Sequence, residues 1–206
     1  MRLQFGELNI TPRVEERLSE LGYTPEELQE AVSEHKSGCD GEPSVYVGTY
    51  GKYNDGSLCG LWIDLSSFSD YDEFINFCKA IHADEADPEL MAQDFECFPR
   101  QWYYEGFMDE EDFDHIKEYS ELCEKYEADA VNDYMEFEDS LDNFEEAYCG
   151  EWDSEEDFAR HIVEECYDLE KMMGNLSQYF DYDAFGRDLF MWDYNMGANG
   201  NVFRRI

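Results

Sequence analysis

Four histidines, seven cysteines and 52 carboxylates are the side chains from which this chain of 206 residues could build a reactive centre. His115 with Glu118, and His161 with Glu165, have the spacing that puts two metal ligands on one helix face. Such pairs hold a metal weakly; both are read as solvated helix surface, and no metal is expected. No HExxH or GxSxG string occurs, and the NDGS at 54–57 lacks the ligand series of a calcium loop. "GTYGK" at 48–52 superficially resembles a phosphate loop. Its glycine spacing is wrong, however, Tyr53 stands where Ser or Thr belongs, and the stretch is placed in a hairpin. A two-metal nuclease would also need positive groups beside the phosphate. The chain is therefore read as a non-enzyme without a cofactor.

The carboxylates remain, and their number is the problem. Against 52 Asp+Glu stand 14 Lys+Arg, a net charge of −38. Solubility needs a charge magnitude of only about 2 to 8 in a small domain, and the excess destabilises a compact fold by self-repulsion. From Tyr126 to Ala159 no Lys or Arg occurs, yet Phe137, Phe144, Tyr148, Trp152 and Phe158 lie inside that run. A chain with 17% aromatic residues can bury a core, so disorder is not expected. Nucleic acid as a direct ligand is excluded, because its binding depends on Lys and Arg neutralising phosphates.

The elements that must position these acids can be read along the chain. "TPRVEERLSEL" starts a helix at Thr11 and Pro12 with Val14, Leu18 and Leu21 on one face, and "TPEELQEAVSEHKSG" starts a second at Thr24 with a capping-box Glu27 and ends it at Gly38. Strands follow at "SVYVGTY" and "LCGLWIDL", joined by a turn at Asn54–Asp55–Gly56. A helix capped by Ser69 then buries Phe74, Phe77, Cys78 and Ile81, and "ELMAQDFECF" is a third strand, with Met91, Gln93 and Phe95 on one face. Further helices carry Phe113, Ile116, Ser120 and Cys123; "ADAVNDYMEF"; a segment from Ser140 to Gly150; and Phe158, Ile162, Cys166 and Leu169 in one helix opened by a Ser154–Asp157 box. "GEWDS" reads as a short strand, and the C-terminal end as a short helix and a hairpin turned at "GANG".

The expected class is α+β: an elongated tandem of small domains. Residues 1–41 form a helical extension, 42–100 an α+β domain, 101–148 a helical domain and 149–206 a C-terminal α+β domain. The opening "MRLQFGELNI" lacks the pattern of a secretion signal, and no apolar run reaches membrane-span length. The odd set of cysteines at 39, 59, 78, 97, 123, 149 and 166 has no CxxC pair. Reduced thiols, a cytoplasmic location and no membrane contact are expected.

Duplex DNA carries one charge per ~1.7 Å, so −38 matches roughly 65 Å of duplex, or about 19 base pairs. Glu138, Asp142, Glu145 and Glu146, preceded by Asp129, Asp133 and Glu136, have helical spacing, which repeats every ~5.4 Å. Phe137, Leu141, Phe144 and Tyr148 would anchor the opposite face. The surface assigned to this role comprises Asp129, Asp133, Glu136, Glu138, Asp139, Asp142, Glu145, Glu146, Glu151, Asp153, Glu155, Glu156 and Asp157. Held in fixed places, such acids form a DNA mimic for a basic groove, with no ordering entropy to lose on binding. A halophile's acidic surface and a weak cation buffer are the bland alternatives.

"PSVYVGTYGKYNDGSLCGLWIDL", "ELMAQDFECFP", "FEEAYCGEWDSEEDFA", "YFDYDAFGRDLF" and "NVFRR", in that order, resemble the ArdA family of antirestriction proteins. The resemblance implies a DNA mimic encoded by a mobile genetic element, which occupies the DNA groove of type I restriction–modification enzymes and blocks restriction, with inhibition of modification left open. It also implies three small tandem domains in a curved molecule, a homodimer joined through the C-terminal region, no cofactor and no catalysis. The family's antirestriction motif aligns with "YDLEKMMGNLSQYFD", Tyr167–Asp181, in which Leu169, Met172, Leu176, Tyr179 and Phe180 are read as a dimer or packing surface. The alternative is an acidic interaction protein for another basic partner: a nucleoid protein, a regulator or a CRISPR nuclease.

Overall fold

The computed structural model describes residues 8–35 and 41–206. Its elements are α1 (Pro12–Glu20), α2 (Pro25–Glu34), β1 (Ser44–Thr49), α3 (Tyr50–Asn54), β2 (Leu61–Asp64), α4 (Tyr71–Ala80), β3 (Leu90–Glu96) and α5 (Glu110–Lys125). They continue with α6 (Ala128–Met135), α7 (Phe144–Ala147), β4 (Tyr148–Glu151), α8 (Glu155–Cys166), α9 (Leu169–Met173), α10 (Tyr182–Trp192), β5 (Tyr194–Met196) and β6 (Asn201–Arg204). The chain is α+β, with two compact units, Met1–Glu121 and Leu122–Ile206, each built on a three-stranded antiparallel sheet.

In the first unit β1 is the central strand, between β2 and β3. Phe74, Phe77, Cys78 and Ile81 are buried as the spacing predicts. The cap of α4 is Asp70, which accepts from the Glu73 amide at 2.8 Å, while the expected Ser69 donates its N–H and hydroxyl to the Glu73 carboxylate. Aromatic stacking continues from Phe74 to Phe107 and Phe113, and the Lys117 ammonium ties α5 to the carbonyls of Phe68 and Ser69. Both Met91 and Ala92 are buried, because a register shift at Tyr46/Val47 interrupts strict alternation.

The helical extension belongs to this unit's core. Thr11 and Thr24 cap their helices as expected, with the capping box to Glu27 complete. Val14, Leu18, Leu28 and Val32 are buried, and the Tyr23 ring meets Phe77 edge-on. Arg17 donates from Nη1 to the carbonyl of Ala83 at 2.8 Å and to that of Glu85. The expected stop at Gly38 lies outside the described residues.

Four sequence expectations shift here or in the second unit. The β1–β2 connection contains α3 rather than a tight hairpin: Thr49 accepts from the Lys52 amide at 3.2 Å, and Gly56 (φ 81°) closes the turn. Along α5 the buried stripe is Phe113, Ile116, Tyr119 and Leu122, one residue short of the expected Ser120 and Cys123, which are half-exposed. The helix of α8 ends at Tyr167, whose extended backbone gives way to Asp168 as cap of a separate α9; Phe158, Ala159 and Val163 are its buried residues, Ile162 is half-buried and Cys166 exposed. Cys97 is disulfide-bonded, contrary to the expectation of reduced thiols throughout, whereas Cys59, Cys78, Cys123, Cys149 and Cys166 form no disulfide.

In the second unit β6 is central, between β4 and β5, and the hairpin at 197–200 forms as expected. Phe144 and Phe203, both at most 1% exposed, anchor a cluster with Tyr126, Tyr134 and Tyr148. Helices α8 and α10 cross closely at Gly186, where a Cβ would come within 2.9 Å of the Glu155 carbonyl oxygen.

Candidate functional site

The expected continuous row of helical acids does not exist. α6 stops at Met135, α7 is a single turn from Phe144, and Ser140 makes only a local bond with the Asp142 amide. Residues 136–143 are a turn-rich connection, so Glu138 and Asp142 do not share a helix with Glu145 and Glu146. The acids come instead from α6, this connection, α7, β4 and the start of α8. Asp129, Glu136, Glu138, Asp139, Asp142, Glu145, Glu146, Glu151, Asp153, Glu155, Glu156 and Asp157 are all exposed.

Asp133 is the exception and a correction: it is 1% exposed. Its Oδ2 accepts from the Asn201 side-chain amide at 2.9 Å and the Asn199 backbone N–H at 3.1 Å, and its Oδ1 accepts from the Asn199 side-chain amide at 3.0 Å. A buried carboxylate is tolerated when its oxygens are satisfied in this way. Tyr148 donates its hydroxyl to Asn201 Oδ1 at 3.2 Å, and Gly197 leaves room for the carboxylate, since a Cβ there would lie 2.2 Å from Asp133 Cγ.

Of the twelve exposed acids, Glu145 and Glu156 meet a cation at ion-pair distance. Arg17, Arg100, Lys117 and Arg205 direct their donors at backbone carbonyls; Arg205 alone reaches those of Phe190, Met191 and Trp192 as well as Asn195 Oδ1. In the second unit three cations pair with surface acids, as Lys125–Glu145, Arg160–Glu156 and Arg187–Asp183. Ion pairs this exposed contribute little. The resulting field reaches the phenols: burial, then Glu138 and Asp142, raise the pKa of Tyr134, and burial, then Glu151, raise that of Tyr148. Near the start of α5, Asp109, Glu110, Glu111, Asp114 and Glu118 line one open concavity with His115. Partial burial and then Asp109 raise the pKa of Asp112 beside it.

The rings of both paired histidines lie against indoles: His115 stacks on Trp102, and His161 packs 4.7 Å from Trp152. Among the described residues His82, Asp84 and Glu85 bring ligand atoms within 4.8 Å of one another, a grouping that sequence spacing did not suggest. The Lys52 ammonium already sits among them, 2.9 Å from His82 Nδ1 and from Asp84 Oδ1 and 3.7 Å from Glu85 Oε1. "GTYGK" thus spans the end of β1 and the start of α3, a strand-to-helix junction within the β1–β2 hairpin, and its lysine faces carboxylates, which repel a phosphate.

In the C-terminal stretch Met172, Leu176 and Tyr179 are 67%, 62% and 76% exposed, whereas Leu169 and Phe180 are half-buried, Phe180 against Tyr182 and Phe185. Tyr167, Met191 and Trp192 are also exposed, and the sequence reading had not included them. Among the described residues no helix is long and apolar enough to cross a membrane.

Comparison with known proteins bears on this acidic surface. No curated protein matches the chain. The family model "Antirestriction protein (ArdA)" matches residues 45–203, a span that takes in both sheets but for Ser44 and Arg204 and every one of the exposed acids named above. Since that match covers well over half of the sequence, the chain belongs to the ArdA family of antirestriction proteins.

Proposed function

We propose that the protein is a DNA mimic that occupies the DNA-binding groove of a type I restriction–modification enzyme and so blocks restriction. Family membership supports an antirestriction role and an interaction with restriction–modification enzymes. The mechanism rests on one observation: twelve of the thirteen assigned acids are exposed on the second unit, and a cation meets two of them, Glu145 and Glu156. Such a surface offers negative charge in fixed places, where a flexible acidic tail would lose entropy on binding. It would be drawn to a basic groove by the same long-range attraction that draws DNA, weakening as salt rises.

The exposed Met172, Leu176 and Tyr179, in one short stretch of chain, support a homodimer, since clustered apolar surface is exposed at a cost unless something covers it. A dimer would double the mimic and present two acidic surfaces to the enzyme. The proposed setting is the cytoplasm, where restriction enzymes act on incoming DNA.

The test is competition. A purified type I enzyme bound to labelled target duplex is titrated with the protein at several salt concentrations. Displacement near stoichiometric amounts, weakening with salt, is expected. No displacement at any salt rejects this mechanism and directs the search to another basic partner.

A further inference from the structure

The acids of the second unit sit on several elements, so something must fix their spacing, and the only fully buried acid among the thirteen lies where those elements meet. Asp133 projects from α6; Asn199 and Asn201, which donate to it, belong to the β5–β6 turn and to β6. The same short stretch holds β4: Glu151 pairs with Asn201, the Trp152 amide donates to the Gly200 carbonyl at 2.9 Å, and Tyr148 binds Asn201 Oδ1. Gly200, with φ 86°, approaches so closely that a Cβ would lie 2.7 Å from the Trp152 carbonyl oxygen. Two elements that carry or lead into exposed acids, α6 and β4, are therefore joined at β6 through one carboxylate and two asparagines.

We propose that Asp133, with Asn199 and Asn201, is the positioning hub that sets the distance between the α6 acids and those of β4 and α8. Inhibition then depends on this one hidden carboxylate while tolerating the loss of most single exposed ones. The inference rests on the DNA-mimic reading for its functional consequence, but its structural part stands separately. It assigns Asp133 a role opposite to that of its neighbours: they act through their charge, and it acts through its hydrogen bonds.

Charge and geometry can be separated by substitution. Asp129→Asn removes an exposed charge and leaves the hub intact. Gly197→Ala keeps the net charge but drives a methyl group into Asp133. Asp133→Asn turns one of the two accepting oxygens into a donor that faces the Asn201 side-chain amide, and the double variant Asp133→Asn/Asn201→Asp restores donor to acceptor between these two side chains with the original net charge. In the competition assay Asp129→Asn, which removes one of the many surface charges, should weaken displacement by about twofold and so sets the size of a single lost charge. Gly197→Ala and Asp133→Asn should each be weaker by roughly tenfold or more, and the exchange variant should recover most of that loss.

Circular dichroism and melting establish that each variant is folded; if Gly197→Ala is not, Asn199→Ala, also neutral in charge, replaces it. Amide exchange at Trp152 supplies a readout independent of any enzyme, and it should quicken in Asp133→Asn and slow again in the exchange variant. If the parent protein displaces no DNA, the mimic reading fails and the exchange data alone judge the hub. Folded Gly197→Ala and Asp133→Asn proteins that inhibit like Asp129→Asn, or that keep Trp152 as protected as in the parent, overturn the hub.

Discussion

The Lys52 ammonium donates to Nδ1 of His82 at 2.9 Å, although thirty residues separate the two. The contact requires a neutral ring whose Nε2–H faces the Val47 carbonyl, 3.4 Å away. Burial and then the neighbouring Lys52 lower the His82 pKa from 6.5 to about 4.

The sign of the pH effect follows. Between pH 6.5 and 4 the unfolded chain binds a proton that the folded one refuses, so stability falls as pH falls through this window. The stability difference between the parent protein and His82→Gln should shrink by about 2 kcal/mol from pH 7 to pH 4.5. Paired urea melts at the two pH values measure it; a constant difference contradicts the assignment. Lys52→Met should move the ring's NMR titration midpoint upward, because one repelling charge has gone.

The exposed acids should trade stability against inhibition. A variant combining Asp129→Asn, Glu136→Gln, Glu138→Gln and Asp142→Asn relieves like-charge repulsion, so it should melt higher than the parent at low salt. It should also inhibit less. The melting gap should narrow as salt approaches about 1 M, where the screening length is near 3 Å. A quadruple variant that melts lower would mean that these acids hold the fold together.

Arg17 gives a stability prediction in the first unit. Its two hydrogen bonds to the 83–85 carbonyls are charge-assisted, and Arg17→Met leaves those acceptors without it. Unfolding free energy should fall by roughly 1.5–3 kcal/mol. Faster amide exchange in α1 should accompany the loss; unchanged exchange there would show that the apolar face alone holds the helix.

The apolar stretch predicts oligomeric state. Tyr179→Glu and Leu176→Glu each place a charge in the proposed contact, so sedimentation should report half the parent mass. Such a monomer should still inhibit, less tightly. An unchanged mass places the interface elsewhere.

Local chemistry was legible in the sequence, and long-range placement was not. The caps at Thr11, Thr24 and Ser154, the three strands of the first sheet and the closing hairpin follow from residues a few positions apart. Ser69 missed by one position, because Asp70 also fits the role and only the folded turn shows which accepts the Glu73 amide. The inward turn of Asp133 depends on asparagines more than sixty residues later, and spacing treats it like any other acid of its helix. The signal that existed was the Asn-Gly-Asn string at 199–201, dense in amide donors. Lys52 was likewise readable only as a charge, since its partners arrive from another loop.

The engagement of cations with backbone carbonyls has a consequence for how such a protein can change over generations. Arg17, Lys117 and Arg205 grip main chain, which is present whatever side chain occupies the position. An Asp can become Glu, move one place or vanish from the surface without depriving these groups of their partners, and a change away from such contacts shifts stability by only about 0.5 kcal/mol. Under the proposed mimicry the pattern of charge is thereby free to drift toward a new adversary while the scaffold beneath it is inherited intact.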